Sequence, residues 1–416
     1  MKIFLAQQNY HIGNFEHNTK KIIAAIETAK QQGGDIIVFS ELCICGYPPR
    51  DFLYFKDFIN KCYRAIDEIK QYADGIAVLV GAPHRNAVVE GKDLFNAAYF
   101  LQDKEIKQVI HKTCLPTYDV FDEDRYFEPA AEWNIVLYKG KRIAVTICED
   151  IWNLGNNPLY RYCPMDKLIV QEPDVMINLS ASPFDYTHDE DRKAAVKANV
   201  LKYKIPMFYC NGVGSQTEIV FDGTSLVFDK DANLCGRLAS FEEDLQSFLL
   251  NDDGTIDAAI IEPANKIADT DLNPATLEEG LNIAHVYEAL LMGIRDYFSK
   301  MGFKKAILGS SGGIDSAVTL ALACKALGSE NVHAILMPST YSTAHSVSDA
   351  EQLSKNLQNR YDIIPIKNIY ESFLDELKPY FKDLPFSIAE ENIQSRTRGN
   401  LLMAMANKFG YILLNT

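Results

Sequence analysis

Lys305-Ala306-Ile307-Leu308-Gly309-Ser310-Ser311-Gly312-Gly313-Ile314-Asp315-Ser316 reads as a short apolar strand, a glycine turn and the start of a helix. Ala317, Val318, Leu320, Ala321, Leu322 and Ala323 carry that helix onward. Glycines let the backbone fold close to an anion, and a helix N-terminus offers free N–H groups to phosphate. The lysine of a Walker loop is missing; Asp315 and Ser316 follow the glycines instead. A carboxylate beside phosphates suits Mg²⁺, which takes carboxylate and phosphate oxygens. Working outward, strands are expected at 332–337 and 361–366, with helices at 277–301 and 349–358. Strand–helix–strand repetition predicts a parallel, doubly wound sheet.

Upstream, 36–39, 77–80, 143–147 and 175–178 read as apolar strands, and 225–234 as a late hairpin with a polar turn. Helices are expected at 19–31, where Ile22, Ile23, Ile26 and Ala29 keep helical spacing, and at 189–204. This order indicates a second, layered α/β domain. The domains are expected at 1–245 and 276–416, joined by a polar linker over 246–275.

A chain of 416 residues exceeds one ordinary core, and 47% hydrophobic with 23% charged residues fits a globular protein. No apolar run reaches the roughly 20 residues of a spanning helix, and the N-terminus turns polar too early for a signal peptide. Nine cysteines without a Cys-x-x-Cys argue against a disulfide framework or a zinc site, which predicts a cytoplasmic location. A net charge of −15 disfavours nucleic acid as a partner.

Three residues that each follow an apolar strand supply a second chemistry. Glu41 follows Val38-Phe39-Ser40, Lys112 follows Val109-Ile110-His111, and Cys148 follows Val145-Thr146-Ile147. A thiol must lose its proton to attack an amide, a carboxylate can take it, and a fixed cation can hold the oxyanion. Taken singly, each residue reads more readily as a buried thiol, a surface acid or a snorkelling base; the three contexts in order reverse that weighting.

Those contexts are Phe39-Ser40-Glu41-Leu42 with Gly46-Tyr47-Pro48, His111-Lys112-Thr113-Cys114-Leu115-Pro116, and Ile147-Cys148-Glu149-Asp150. They resemble the nitrilase superfamily of carbon–nitrogen hydrolases. The resemblance implies a four-layer αββα sandwich, with Glu41 as general base, Lys112 as oxyanion stabiliser and Cys148 as nucleophile. Glu123 falls where the family carries a supporting glutamate. By likeness to the glutamine-dependent members, Tyr47, Tyr118, Glu149, Ser182 and His188 are expected around glutamine, with Glu149 toward the α-ammonium. Tyr47 and Tyr118 are equally readable as packing aromatics.

Ser311-Gly312-Gly313-Ile314-Asp315-Ser316 is similar to the pyrophosphatase loop of enzymes that split ATP into AMP and pyrophosphate. The resemblance assigns ATP to Gly309, Ser310, Ser311, Gly312, Gly313, Ile314, Asp315 and Ser316, and Mg²⁺ to Asp315. Met337, in Met337-Pro338-Ser339, resembles the adenine edge of NAD synthetases, and Thr416 the strand residue that reaches ATP. Asn392 and Arg396, in Glu391-Asn392-Ile393-Gln394-Ser395-Arg396-Thr397-Arg398, resemble their dinucleotide-binding helix. Arg396 and Arg398 are also readable as exposed helix charges.

Together the two halves resemble the glutamine-dependent NAD⁺ synthetase family. This implies a Rossmann-like second domain, the substrates glutamine, deamido-NAD⁺ and ATP, and a homo-oligomer. The alternative is a stand-alone amidase with a degenerate nucleotide-binding module. Because such relatives continue beyond the position of Thr416, the second domain is expected to be incomplete at its C-terminus.

Overall fold

The structure is a computed structural model that describes residues 1–154, 159–185, 188–257, 283–382 and 384–415. The chain divides into two compact units, the first ending at Ala289 and the second beginning at Leu290. The first unit opens with β1 (Lys2–Gln7), α1 (Phe15–Gln31), β2 (Ile36–Phe39), α2 (Lys56–Ile69), β3 (Ala77–Arg85), β4 (Leu94–Gln102) and β5 (Glu105–His111). Next come β6 (Val136–Tyr138), β7 (Lys141–Ile147), α3 (Pro164–Leu168), β8 (Val175–Ser180), α4 (His188–Tyr203) and β9 (Met207–Asn211). Then β10 (Val213–Gln216), β11 (Ile219–Asp222), β12 (Leu226–Phe228), β13 (Leu234–Arg237), β14 (Asp244–Leu250) and β15 (Ile256–Asp257) complete the described strands of this unit.

One sheet has the order β15-β14-β1-β2-β3-β4-β5 and a second the order β13-β12-β9-β8-β7-β6. The two-residue period of a strand decides what lies on each face. Ile3 and Leu5 of β1, Ile36 and Val38 of β2, and Ala77 and Leu79 of β3 point to the second sheet. There they meet Ile143, Val145 and Ile147 of β7 and Val175, Ile177 and Leu179 of β8. The alternate residues Phe4, Ile37, Phe39 and Val78 pack outward under Ile22 and Ile26 of α1 and Ile59 and Ile66 of α2. On the far side, Met176 and Met207 pack under Val196 and Val200 of α4. Helix, sheet, sheet, helix is therefore the layer order, as expected from the resemblance.

Residues 246–257, expected within the linker, instead extend the first sheet. The β14 strand pairs antiparallel with β1, Ile3 opposite Phe248, and buries Phe248 and Leu250 between the sheets. Positions 258–275 of that linker lie outside the described residues, as do 277–282 of the expected following helix.

The second unit contains most of α5 (Ile283–Met301), then β16 (Ala306–Gly309), α6 (Ile314–Leu327), β17 (Val332–Leu336), α7 (Ala344–Leu357) and β18 (Arg360–Ile363). It continues with α8 (Lys367–Phe381), α9 (Ile388–Phe409) and β19 (Ile412–Leu413). The strand order β18-β17-β16-β19 is parallel throughout. Ala306, Leu308, Ala334 and Leu336 pack on one face with Phe298 of α5, Leu320 and Ala323 of α6 and Ala350 of α7. Ile307 and Ile335 pack on the other with Leu402 and Ala406 of α9. The α7 helix opens earlier than the expected 349, because Thr343 Oγ1 accepts the Ser346 N–H at 3.2 Å and caps it. The β18 strand ends at Ile363, before the expected 366, although the N–H groups of Ile364 and Ile366 still donate to Leu336 O and Pro338 O at 2.8 and 3.0 Å.

Candidate active site and nucleotide loop

Three loops at one edge of the sandwich carry the trio. Glu41 follows β2, in a turn where Leu42 has φ 45° and Gly81 of β3 presses against the backbone. A Cβ at Gly81 would lie 2.3 Å from Leu42 N, so this close approach requires glycine. Lys112 follows β5 and is 0% exposed. Its Nζ donates to Glu41 Oε1 at 2.7 Å and to Glu123 Oε1 and Oε2 at 2.7 and 2.9 Å. The Tyr47 hydroxyl donates to Glu123 Oε1 at 2.8 Å, so this tyrosine belongs to the polar cluster.

Cys148 leaves β7 in the left-handed region, at φ 41°, and begins a short 3₁₀ turn over Cys148–Ile151. A non-glycine residue in that region stores strain that its surroundings must hold. Asp150 holds it. Its Oδ2 accepts the Ile147 N–H at 3.0 Å, while Oδ1 accepts the N–H groups of Thr113 and Cys114 at 3.0 and 2.8 Å. One carboxylate thus ties the cysteine turn to the residues directly after Lys112.

The electrostatics separate the roles of these groups. Burial, followed by the charge of Glu41, pushes the Cys148 thiol well above its ordinary range, more than Lys112 pulls it down. It is therefore a neutral thiol that needs a base. Burial raises the Glu41 carboxyl to about 7, against the lowering pull of Lys112, with Glu123 adding to the rise. Burial alone would discharge Lys112, but Glu123 and Glu41 prevail and keep it an ammonium.

Glu149 is buried, and both its oxygens accept from the Tyr118 hydroxyl at 3.0 Å. Tyr160 donates to its Oε1 at 2.9 Å. Tyr118 is 44% exposed, so it has one side in solvent. Ser182 is buried just beyond β8, with its N–H on Asn211 Oδ1 at 2.8 Å. His188 is the first residue of α4, and its side chain lies outside the described residues.

Sequence reasoning missed Asn96, Asp150 and Tyr160. Asn96, buried on β4, donates through Nδ2 to Glu41 Oε1 at 2.7 Å and to Glu123 Oε2 at 3.1 Å. An inward asparagine within the apolar run Leu94-Phe95-Asn96-Ala97-Ala98 was the available signal.

In the second unit, the turn from β16 into α6 folds tightly on itself. Gly312 has φ +83°, and a Cβ there would lie 2.2 Å from Ser346 O, so glycine is doubly required. Ser316 Oγ accepts the Ser311 N–H at 3.2 Å, and Ser311 Oγ accepts the Gly313 N–H at 3.2 Å. Beside the turn lies a cavity of about 530 Å³ whose lining includes Gly309, Ser310, Ser311, Met337, Ser395 and Arg398. Ser310 Oγ is buried without a hydrogen-bond partner among the described residues. Arg398 lines the cavity and is anchored through Nε to Met337 O at 3.1 Å. Arg396 and Asn392 are exposed and do not line it. The reason is helical phase: Ser395, Arg398, Gly399 and Leu402 share one face of α9, and residue 396 is turned away. Asp315 is exposed in the first turn of α6, and Thr416 lies outside the described residues.

Residues 2–259 match the carbon-nitrogen hydrolase family and residues 286–416 the NAD synthase family. The glutamine-dependent NAD(+) synthetase of Synechocystis sp. is 41% identical, over 100% of this chain and 73% of the relative. That of Thermotoga maritima is 37% identical, over 100% of this chain and 74% of its own length. The solved structure of the glutamine-dependent NAD⁺ synthetase from Acinetobacter baumannii, in complex with adenosine diphosphate, aligns with a TM-score of 0.90 at 34% identity. It is covered over 100% of this chain and 74% of that one. With both halves matched by these two families and relatives of this identity aligned along its whole length, the chain belongs to the glutamine-dependent NAD(+) synthetase family.

Proposed function

We propose that the Cys148 site frees ammonia from glutamine while the loop from Gly309 to Ser316 holds the ATP that activates the acceptor acid. As a member of its family the chain is a ligase that converts deamido-NAD⁺ to NAD⁺ with glutamine. The observation that carries the reading is the buried Glu41–Lys112–Glu123 cluster, whose charges act on the Cys148 thiol.

In this reading the Cys148 sulfur attacks the amide carbon of glutamine as Glu41 takes the thiol proton. The three N–H groups of Lys112 are engaged by Glu41 and Glu123, so Lys112 acts on the developing oxyanion through its charge. Ammonia leaves, and water resolves the thioester to glutamate. Glu149 would receive the glutamine α-ammonium, with Tyr118 and Tyr160 fixing its carboxylate, and Ser182 lies within the same loop system. The nicotinate carboxylate of deamido-NAD⁺ would attack the α-phosphorus of ATP and expel pyrophosphate, and ammonia would then attack the acyl carbon of the adenylate and displace AMP.

The adenosine diphosphate complex of the Acinetobacter baumannii relative supports a nucleotide site in the family, and the cavity beside Ser310, Ser311 and Met337 is where we place it. Its Arg398 is the cation we assign to an anionic substrate group. Among the described residues no cluster of three or more His, Cys, Asp or Glu side chains could cage a metal. Mg²⁺ still fits the donor set, because it accepts one carboxylate together with nucleotide phosphate oxygens. Asp315 supplies that carboxylate and would hold the ion that neutralises phosphate charge. We further infer a homo-oligomer from the family resemblance and a cytoplasmic location from the cysteine pattern; light scattering reads the assembly directly. Among the described residues no helix is long and apolar enough to cross a membrane.

The pH profile of glutamate release tests the role of Glu41. The base must be ionised, so kcat/KM for glutamine should climb about tenfold per pH unit below the carboxyl pKa of about 7, and then level. A profile flat from about pH 5 to about pH 8 would remove Glu41 as the base.

Tyr160→Phe tests the substrate pocket. Loss of a donor to the Glu149 carboxylate should raise KM for glutamine roughly tenfold with little change in kcat. An unchanged KM would take Tyr160 out of glutamine recognition.

A further inference from the structure

We propose that Asn96 is a positioning residue of the amidase reaction, fixing which oxygen of Glu41 serves as the base. The proposal rests on the reading of Glu41 as general base and adds a residue that no sequence motif marks.

The geometry distinguishes the two Glu41 oxygens. Oε1 accepts from Lys112 Nζ at 2.7 Å and from Asn96 Nδ2 at 2.7 Å. Among the described residues, Oε2 accepts only the Ala181 N–H at 3.1 Å. An ionised carboxylate oxygen has about two acceptor sites. Oε1 is therefore saturated, and Oε2 keeps a lone pair to take a proton. Asn96 supplies one of the two bonds that make this difference.

The same Nδ2 solves a charge problem. Glu41 and Glu123 both crowd Lys112, whose single positive charge cannot offset two buried carboxylates. Nδ2 carries two hydrogens and donates one toward each acid, Glu123 Oε2 lying at 3.1 Å. A neutral donor stabilises both ionised forms without adding a competing charge. An aspartate, of almost the same shape, would put a third acid into the cluster.

Besides burial, the groups that set the ionisation of Glu41 are Lys112 after β5, Glu123 in the loop that follows and Asn96 on β4, while Cys148 after β7 and Tyr47 feel its charge. The Asn96 hydrogen bond lowers the Glu41 carboxyl, opposing burial, so losing it moves the base upward in pH.

The test compares glutaminase pH profiles of the wild-type chain, Asn96→Ala, Asn96→Asp and Glu41→Gln, with thermal unfolding run on each. Asn96→Ala should lower kcat at least about tenfold, leave KM for glutamine near the wild-type value, and shift the acid limb up by about one pH unit. Asn96→Asp should lose more than Asn96→Ala while retaining a cooperative unfolding transition, because it preserves the packing volume. A simple packing role would instead make Asn96→Ala the worse of the two and leave the acid limb in place, which overturns the proposal. Glu41→Gln separates the two levels. If it keeps wild-type activity, the general-base reading itself fails. If it is inactive while the Asn96 variants keep the wild-type limb, only the role of Asn96 fails.

Discussion

Cys148→Ala is expected to reduce glutamate release from glutamine by on the order of 10⁴-fold or more while sparing NAD⁺ formation from ammonia. In the proposed reaction the thiol forms the acyl intermediate, while Glu41 and Glu123 are held by Lys112 and Asn96 as base and support. Folding should survive. The substitution removes one sulfur from a buried position, and the turn stays held by the three N–H bonds to Asp150. The measurement is NAD⁺ formation with glutamine, and separately with ammonium at about millimolar concentration, on one preparation. Equal losses with both nitrogen sources would show that Cys148 is needed beyond ammonia release.

Asp315→Ala should produce the opposite pattern. Formation of AMP and pyrophosphate should fall by about 100-fold or more with either nitrogen source, while glutamate release without ATP is retained. Asp315 is exposed in the first turn of α6, so its removal should shift stability by no more than about 0.5 kcal/mol. The loss then reflects ATP use rather than unfolding. Raising Mg²⁺ should restore part of the rate if the carboxylate holds the ion together with phosphate oxygens. Undiminished adenylate formation in Asp315→Ala would remove the metal role from this residue.

The strands were legible because they are short apolar runs. Ile36-Ile37-Val38-Phe39 is apolar throughout, which is what a strand covered on both faces requires: Ile36 and Val38 pack between the sheets, Ile37 and Phe39 under the helices. The trio was legible because each member follows such a strand, where loops converge. Asn96 was hidden for the same reason in reverse: one polar residue on a buried strand has no partner at a fixed sequence distance. Tyr160 and Asp150 act through contacts 11 and 36 residues away, to Glu149 and to Cys114, distances that follow from tertiary folding alone. On α9, helical spacing from Ser395 to Leu402 brings Arg398 to the cavity, a placement that the linear motif around Arg396 does not display. The helix starting at Ala344 was misplaced because a single threonine cap, Thr343, outweighs the apolar pattern that begins later.

The central claim is that one chain couples amide hydrolysis to ATP-driven amidation. Glutamine labelled with ¹⁵N at its side-chain amide, supplied with ATP, Mg²⁺ and deamido-NAD⁺ against a pool of unlabelled ammonium, tests it most directly. The account predicts ¹⁵N in the NAD⁺ amide, with equal amounts of glutamate, AMP and NAD⁺ formed and no label incorporated by Cys148→Ala. Glutamate released without AMP at any concentration of deamido-NAD⁺, or label incorporated by Cys148→Ala, would contradict it.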